Sequence, residues 1–383
     1  MGGTPLPTFT IHMANRFITE AVDAWVADDV DFSEEMTEYR HNTMLKELFI
    51  AICVIAAFLV AGWTLTIGDY PIGFFHSYEV LWNHLTGSIT DSTEDFIIWR
   101  VRTPRIFTGL LAGFGLAVCG AVMQSILKNP LADAYTTGVS SGASFGATLA
   151  IALGVSIAGA GGYALVANAF VFSLIPVLVI VTVAKMRGAS PTTMIMAGIA
   201  VMYIFNATTT FIKLGVSDAT LGALFDWSVG SLDNSSWRQV EIMAVFVVSG
   251  YIVIQLMGRK LNVLSTGDES ARAMGVDSNT LRTICMLIVS LIAASIVSFT
   301  GLIGFVGLVC PHITRLVIGS DNRFLIPASA MFGAALLLGS DLVGRVIIAP
   351  EVIPVGVITS FIGGPMFLWL IIKQKREVWR RPS

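Results

Sequence analysis

The apolar residues of this 383-residue chain fall into blocks of about twenty, and short segments between the blocks hold most of the charges. A helix needs about 20 apolar residues to cross the ~30 Å hydrocarbon core of a bilayer. Hydrophobic residues make up 55% of the chain and charged residues only 13%, against about 25% charged in an average soluble domain. We therefore expect an all-α membrane protein, a polytopic bundle of about ten transmembrane helices, and exclude a soluble fold.

Ten apolar blocks can be assigned along the chain. They cover residues 48–68, 104–126, 137–157, 161–184, 192–213, 239–257, 282–300, 303–319, 325–343 and 353–372. The seventh and eighth blocks nearly touch, so one of them is expected to be short or bent. Glycine-rich steps around 159–162 predict the turn between the third and fourth blocks. The four cysteines lie singly in apolar blocks without metal-ligand spacing, which indicates packing roles and no metal site.

The positive charges predict the orientation of the bundle, because lysine and arginine collect in cytoplasmic loops. Their distribution places both termini in the cytoplasm. Three parts follow: an acidic cytoplasmic extension (1–47), the transmembrane domain (48–375) and a basic cytoplasmic tail (376–383). Three arginines, Arg100, Arg102 and Arg105, lie on the predicted outer side, against this preference for cytoplasmic loops. Such a cluster either has a function or extends to lipid phosphates.

The largest hydrophilic inner loop predicts a short helix outside the membrane at about 265–276. Ser265 or Thr266 can cap it, and Asp268 and Glu269 fall in its first turn, where negative charge complements the helix dipole. Gly275 is a natural stop. A short exposed helix between spans suits docking into a groove of another protein, although an ordinary loop helix fits the composition equally.

A glycine-punctuated apolar run at 301–315 ends in Pro311-His312 and Arg315. Glycine at this density allows close approach of helices in lipid, so the run predicts a packed membrane helix whose end meets an aqueous surface. His312 has no second ligand at metal spacing and indicates no metal site.

Four motifs in order resemble those of FecCD-type permeases, the membrane subunits of ABC importers for iron–siderophore, haem and vitamin B12. The resemblance covers about residues 48–375. The motifs lie at 102–105 leading into 109–124, at 129–133 followed by 138–143, at 271–276, and at 301–323 continuing through Asp341, Arg345, 354–359 and 363–365. Ala134 departs from the pattern, since the family often has proline there.

The resemblance implies a permease subunit with ten spans, a second permease copy (more commonly a homodimer than a heterodimer), two ABC ATPase subunits and an extracytoplasmic substrate-binding protein. The chain lacks a Gly-x-x-x-x-Gly-Lys-Ser/Thr loop, so we expect no enzyme activity and no bound cofactor, with ATP held by the partner subunit. The net charge of −3 gives no reason to expect nucleic acid. The implied location is the plasma membrane of a bacterium or archaeon.

The resemblance also assigns residues. Arg102, Arg105 and Arg345 would receive carboxylates of the binding protein, since arginine can hold a carboxylate bidentately; for Arg345 the alternative is a pair with Asp341, four residues earlier. The inner-loop helix would be the coupling helix, with coupling residues Ser265, Thr266, Asp268, Glu269, Ala271, Arg272 and Gly275. Pathway or gate residues would be Gln124, Asn129, Pro130, Ser140, Ser141 and Gly142, although such residues more often form hydrogen bonds between helices.

Two other functions compete with an importer of an iron chelate (siderophore or haem) or cobalamin. An ion-driven secondary transporter of a small solute needs acidic residues within its spans; Asp341 is the clearest, and it lies near a membrane face. A membrane-embedded enzyme needs His, Cys or carboxylates clustered at the midplane, and none is apparent.

Overall fold

The computed structural model describes residues 34–157 and 163–373, and this part of the chain forms helices and no strand. Seven helices are long and apolar enough to cross a membrane, and three shorter ones are apolar. Each of the ten predicted blocks coincides with one of these helices, so the predicted fold is confirmed. The helices are α1 (Glu34–Thr66), α2 (Phe74–Thr86), α3 (Ser92–Asp95), α4 (Thr103–Leu127), α5 (Val139–Leu153), α6 (Ala164–Arg187), α7 (Pro191–Lys213), α8 (Asp218–Ser228), α9 (Trp237–Leu256), α10 (Gly258–Ser265), α11 (Asp268–Ala273), α12 (Ser278–Thr300), α13 (Val306–Ile318), α14 (Asn322–Val346) and α15 (Val355–Lys373).

Parts of the sequence predictions lie outside the described residues: most of the acidic extension, the turn at 158–162 and the basic tail at 376–383. The predicted boundary after residue 47 falls inside α1, which runs Glu34–Thr66 without a break. The helical part of the chain therefore begins before the apolar block does.

The helix ends gather at two opposite faces of the bundle. One face, called the α11 end, holds α10, α11, the last turn of α4 and the start of α14. The other face, called the α2 end, holds α2, α3, the loop after α8, the end of α1 and the end of α14. The long helices connect these two ends.

The arginine cluster of the sequence lies where α3 runs into α4. The connection is a π-helical segment, Phe96–Arg102, and together the three pieces form one continuous 36-residue span, Ser92–Leu127. The hydroxyl of Thr103 donates to the carbonyl of Ile98 at 2.6 Å. This bond gives the carbonyl of Ile98 a partner where the π-helical hydrogen-bond pattern changes to the α-helical one.

α4 is the central helix of the bundle. In the most apolar window of its span 78% of residues are buried, compared with 17% for α7. Glycines bring α4 against its neighbours: a methyl group on Gly113 would overlap the carbonyl of Gly333 on α14, and one on Gly120 would overlap the carbonyl of Gly307 on α13. Close backbone approach of this kind replaces the hydrophobic effect as a packing force in lipid.

The glycine-rich run at 301–315 is only partly helical. α12 ends at Thr300, and α13 begins at Val306 and has 13 residues. Gly301 and Phe305 have positive φ angles of 70° and 69°, so the intervening backbone cannot continue a helix. The predicted short or bent block is therefore α13, and its helix begins three residues after the approximate predicted start at residue 303. The amide of Ile303 in the break donates to the hydroxyl of Tyr135 at 3.1 Å.

Candidate functional sites at the two ends of the bundle

Arg102 supports the end of α1. Its guanidinium donates to the carbonyls of Leu65 (2.9 Å), Thr66 (3.0 Å) and Tyr70. Leu65 and Thr66 belong to the last turn of α1, whose carbonyls lack intrahelical partners, and Tyr70 lies in the loop that follows. The side chain is only 4% exposed. In this conformation Arg102 is therefore occupied by backbone groups, which differs from the exposed docking role expected from the motif.

Arg105 and Arg345 share a buried carboxylate at the α2 end. Arg105 donates through Nη2 to Asp341 at 2.8 Å and through Nη1 to Asp233 at 2.6 Å. Arg345 Nε lies 3.3 Å from Asp341, and its Nη1 donates to the carbonyl of Ile67 at 2.7 Å. Asp341 is 2% exposed. The alternative interpretation of Arg345 as a partner of Asp341 is thus seen in the structure.

The Arg345 guanidinium does not use all of its hydrogen-bond donors. Its Nη2 atom is buried and has no hydrogen-bond partner among the described residues. A buried donor without an acceptor is costly, so this nitrogen is suited to an added oxygen acceptor. Arg102, Arg105 and Arg345 therefore lie at one end of the bundle, but only Arg345 has such a vacancy.

Two helices occupy the inner loop where one was predicted. α10 ends at Ser265, and α11 comprises only Asp268–Ala273. The hydroxyls of Ser265 and Thr266 donate back to carbonyls of α10, so these residues close α10 and do not cap α11. Gly267, with φ 130°, precedes α11 instead. The physical reason is that Ser and Thr hydroxyls can bond backbone carbonyls three residues earlier as readily as amides ahead.

The rest of the predicted helix agrees with the sequence. Asp268 and Glu269 lie in the first turn of α11, and Gly275 follows its end with φ 79°. Ala271 is fully buried, whereas Arg272 is exposed. α11 therefore has one face against the bundle and one face in solvent.

Asp268 ties α11 to the bundle through Arg282, a residue that the sequence reading did not single out. Arg282 donates to the two carboxylate oxygens of Asp268 at 2.6 and 2.8 Å, and Lys128 donates to the same carboxylate at 3.1 Å. The hydrogen bonds from Arg282 and the nearby charge of Lys128 hold the pKa of Asp268 well below its usual range. The sequence does contain a signal for this residue: an arginine that is the fifth residue of an apolar helix must find hydrogen-bond acceptors inside the protein.

A second polar network joins α10 to α14 and α4. The Asn262 amide donates to Asp321 at 2.6 Å and accepts from Asn322, whose own oxygen accepts from Ser125 on α4 at 2.8 Å. Burial works to raise the pKa of Asp321, but hydrogen bonds from Arg323 and Asn262 lower it to about 2. The segment α10–α11 is therefore linked to the last turn of α4 twice, from Asn262 through Asn322 and from Asp268 through Arg282.

The predicted pathway residues lie mostly inside the chain's own packing. Gln124 donates to the carbonyl of Leu308 and accepts from Arg315 at 3.0 Å, which joins α4 to α13. Asn129 accepts from the amide of Leu131, and Ser141 donates to the carbonyl of Gly138. The remaining three do not form an open polar surface either: Pro130 and Ser140 are half-buried, and Gly142 packs against the backbone of Phe172.

Large apolar side chains are exposed elsewhere, on α7, α8 and α15, and these exposed surfaces are together called the open face. Tyr203 and Phe211 on α7, Phe225 on α8 and Phe361 on α15 are each 65–77% exposed. Beside them a cleft runs between α8, the break at 301–305 and α15. Its lining residues are Ser228, Val229, Leu302, Gly356, Val357, Ser360, Phe361 and Pro365.

The fold and its two polar ends define a multi-pass membrane transport permease. Residues 50–373 match the model of the FecCD transport family, and the chain belongs to that family of ABC importer permeases. The cobalamin import system permease protein BtuC of Halobacterium salinarum is 39% identical over 75% of this chain and 75% of its own. The hemin transport system permease protein HmuU of Yersinia pestis is 35% identical over 79% of this chain and 89% of its own.

A solved structure agrees with the sequence relatives. It is described as an inward-facing conformation of a metal-chelate type ABC transporter, and it superposes with a TM-score of 0.74. It is 28% identical and covers 85% of this chain and 98% of its own. The resemblance drawn from the four motifs is thereby confirmed.

Proposed function

We propose that this chain is the permease subunit of an ABC importer that carries an iron chelate, haem or a corrinoid across the plasma membrane. The observation that carries the proposal is the family match over residues 50–373. The substrate class is supported by relatives named for hemin and cobalamin transport. In this proposal a substrate-binding protein delivers the ligand, and the chain itself does not hydrolyse ATP.

The α11 end is proposed to face the cytoplasm and to bind the ATPase. α11 offers a solvent-exposed surface with Glu269, Arg272 and Met274, the last 55% exposed. A short exposed helix of this size fits a groove on a partner. The chain has no phosphate-binding glycine loop, so two partner subunits would hold the ATP, with no cofactor on this chain. This orientation agrees with the lysine and arginine bias and places both termini in the cytoplasm.

The α2 end is proposed to receive the binding protein. Arg345 has a buried donor without an acceptor, and Arg105 beside it already binds carboxylates. A glutamate or aspartate of the partner would complete the hydrogen bonds of Arg345. Arg102 would support this end of the bundle without taking part in binding, because its guanidinium holds the end of α1.

The open face of α7, α8 and α15 is proposed to meet a second copy of the chain. Its large exposed aromatic side chains and low burial are typical of a surface that is covered in an assembly. The cleft beside α15 would then line a pathway between the two copies. Gln124, Asn129 and Ser141, which the motifs predict to line a pathway or gate, stay a separate prediction.

Co-purification tests the proposal directly. The tagged chain is extracted from its native membrane in mild detergent, and subunit masses and stoichiometry are measured. We expect an ATPase in equal copy number and ATP turnover that rises when the binding protein is added; the ligand held by that protein identifies the substrate. Recovery of the chain alone, with uptake that continues after ATP depletion while the ion gradient is intact, would support a secondary transporter instead.

A further inference from the structure

Among the described residues at the α11 end, Arg282 is an arginine that is fully buried and contacts three separate elements. It lies on α12, and its side chain has 0% exposure. Nε donates to the carbonyl of Ile126 on the last turn of α4 at 2.9 Å, and Nη1 donates to the carbonyl of Ala189 just before α7 at 3.3 Å. The two Nη atoms hold Asp268 of α11.

The three contacted elements have different roles in the bundle. α11 is the exposed short helix, α4 is the most buried span, and α7 is the least buried span and carries the open face. Ala189 immediately precedes Ser190, whose hydroxyl caps the first turn of α7. Arg282 therefore bonds both to α11, which is exposed to solvent, and to the residue just before α7, the helix proposed to meet a second copy.

We propose that Arg282 is a positioning residue for energy coupling: it transmits displacement of α11 to α4 and α7 through one guanidinium. This inference rests on the proposed function, since it needs an ATPase that moves α11. Two parallel hydrogen bonds fix both the distance and the angle between an arginine and a carboxylate. A shift or a tilt of α11 would therefore also displace the guanidinium of Arg282. Lysine offers a single point charge and lacks that geometry.

The pair is suited to transmission because its two ends differ in burial. The Asp268 side chain is 37% exposed and moves with α11, whereas the arginine is enclosed. Lys128 binds the same carboxylate from the surface, with a side chain 34% exposed. A surface pair of this kind contributes little, which makes Lys128 a matched control for the same carboxylate.

The test measures movement of α7 in the assembled complex of permease, ATPase and lipid nanodisc. The native cysteines are all buried, so a spin label on Thr192→Cys at the exposed start of α7 is specific. The distance between the labels of the two copies is compared without nucleotide and with ATP and vanadate. Arg282→Gln, Arg282→Lys and Asp268→Asn are compared with Lys128→Gln, and ATPase co-purification is recorded for each.

We expect the wild-type and Lys128→Gln complexes to change distance on adding ATP and vanadate. In Arg282→Gln and Asp268→Asn the fraction that changes should fall about tenfold while the ATPase stays bound and hydrolyses ATP. Arg282→Lys should be intermediate. An unchanged response in Arg282→Gln overturns the proposal, as does loss of ATPase binding, which would assign the pair to docking. If Arg282→Gln does not fold, Asp268→Asn decides. A wild-type complex without any response overturns the proposed ATP-driven function itself.

Discussion

The two ends of the bundle both use a buried arginine to hold helix carbonyls, but they treat the neighbouring carboxylate differently. At the α2 end, Asp341 is 2% exposed and lies between Arg105 and Arg345, all on long spans. At the α11 end, the carboxylate of Asp268 belongs to a six-residue helix and is 37% exposed, while its arginine is enclosed. The first arrangement fixes two long helices to each other, and the second connects the bundle to an element that can be moved from outside.

Removing the shared carboxylate at the α2 end should have the largest effect. Asp341→Asn leaves Arg105 and Arg345 buried without a full counter-charge. We expect the free energy of unfolding to fall by about 3–5 kcal/mol, because breaking a buried pair exposes the cost of the remaining charge. Thermal unfolding in detergent measures it. The control is Asp233→Asn: that carboxylate is 47% exposed, and it should cost less than about 1 kcal/mol. Equal costs would mean that Asp341 is not the centre of this cluster.

The central helix α4 should be nearly as sensitive where it crosses α13. Gly120→Ala places a methyl group into the carbonyl of Gly307, so α4 and α13 must separate. We expect a loss of about 1–3 kcal/mol in stability, read from the same unfolding curves. Gly339→Ala on α14 meets no atom within 4 Å and should be neutral or slightly stabilising. Similar behaviour of the two variants would contradict the close crossing.

Two arginines of the α2 end should separate docking from stability. Arg345→Lys removes the vacant Nη2 donor and should weaken binding of the substrate-binding protein about tenfold, or 1.4 kcal/mol.

Arg102→Lys loses the set of three carbonyl bonds and should lower the unfolding temperature without changing the affinity of the folded protein. Affinity is measured at several salt concentrations. Reversing the charge of Arg102 and Arg105 together is less informative, because it also removes the hydrogen bonds from Arg102 that support the end of α1.

The smallest expected effect is a different pH response of the two ends. His76 on α2 pairs with Glu79 (3.0 Å) and Glu94 (2.7 Å), and these hydrogen bonds raise the pKa of His76. Stabilisation from a raised pKa is complete below about pH 6.5 and is lost as the pH rises through the new value. The lowered pKa of Asp268 has the opposite sign, so its pair weakens only in acid.

Hydrogen exchange reports this difference. Between about pH 6 and pH 8.5, protection of the α2 peptide should fall after correction for intrinsic rates, whereas that of the α11 peptide should not. In His76→Gln the α2 peptide should lose this pH dependence. A parallel decline at both ends would show that the histidine does not anchor α2.

The number and placement of spans could be predicted from the sequence because each is a long apolar block, and the family followed from four ordered motifs. The side chains at the sites could be predicted less well. Arg102 and Arg105 are three residues apart in one motif, yet one binds the backbone of α1 and the other binds Asp341. Arg282 escaped notice because its acceptors come from residues 126, 189 and 268, which only the folded chain brings together.

The break at Gly301–Phe305 also bears on how the chain enters the membrane. α13 has 13 residues, about 20 Å of helix at 1.5 Å per residue, which is too short to cross the ~30 Å core alone. The amide of Ile303 in the break donates to the hydroxyl of Tyr135, and the amide of Ser231, in the loop after α8, donates to the carbonyl of Thr300 at the end of α12. Tyr135 and Ser231 are both synthesised earlier. We therefore expect insertion of the C-terminal part to depend on the N-terminal part being already in place, so truncation from the C-terminus should be tolerated better than truncation through α4 to α8.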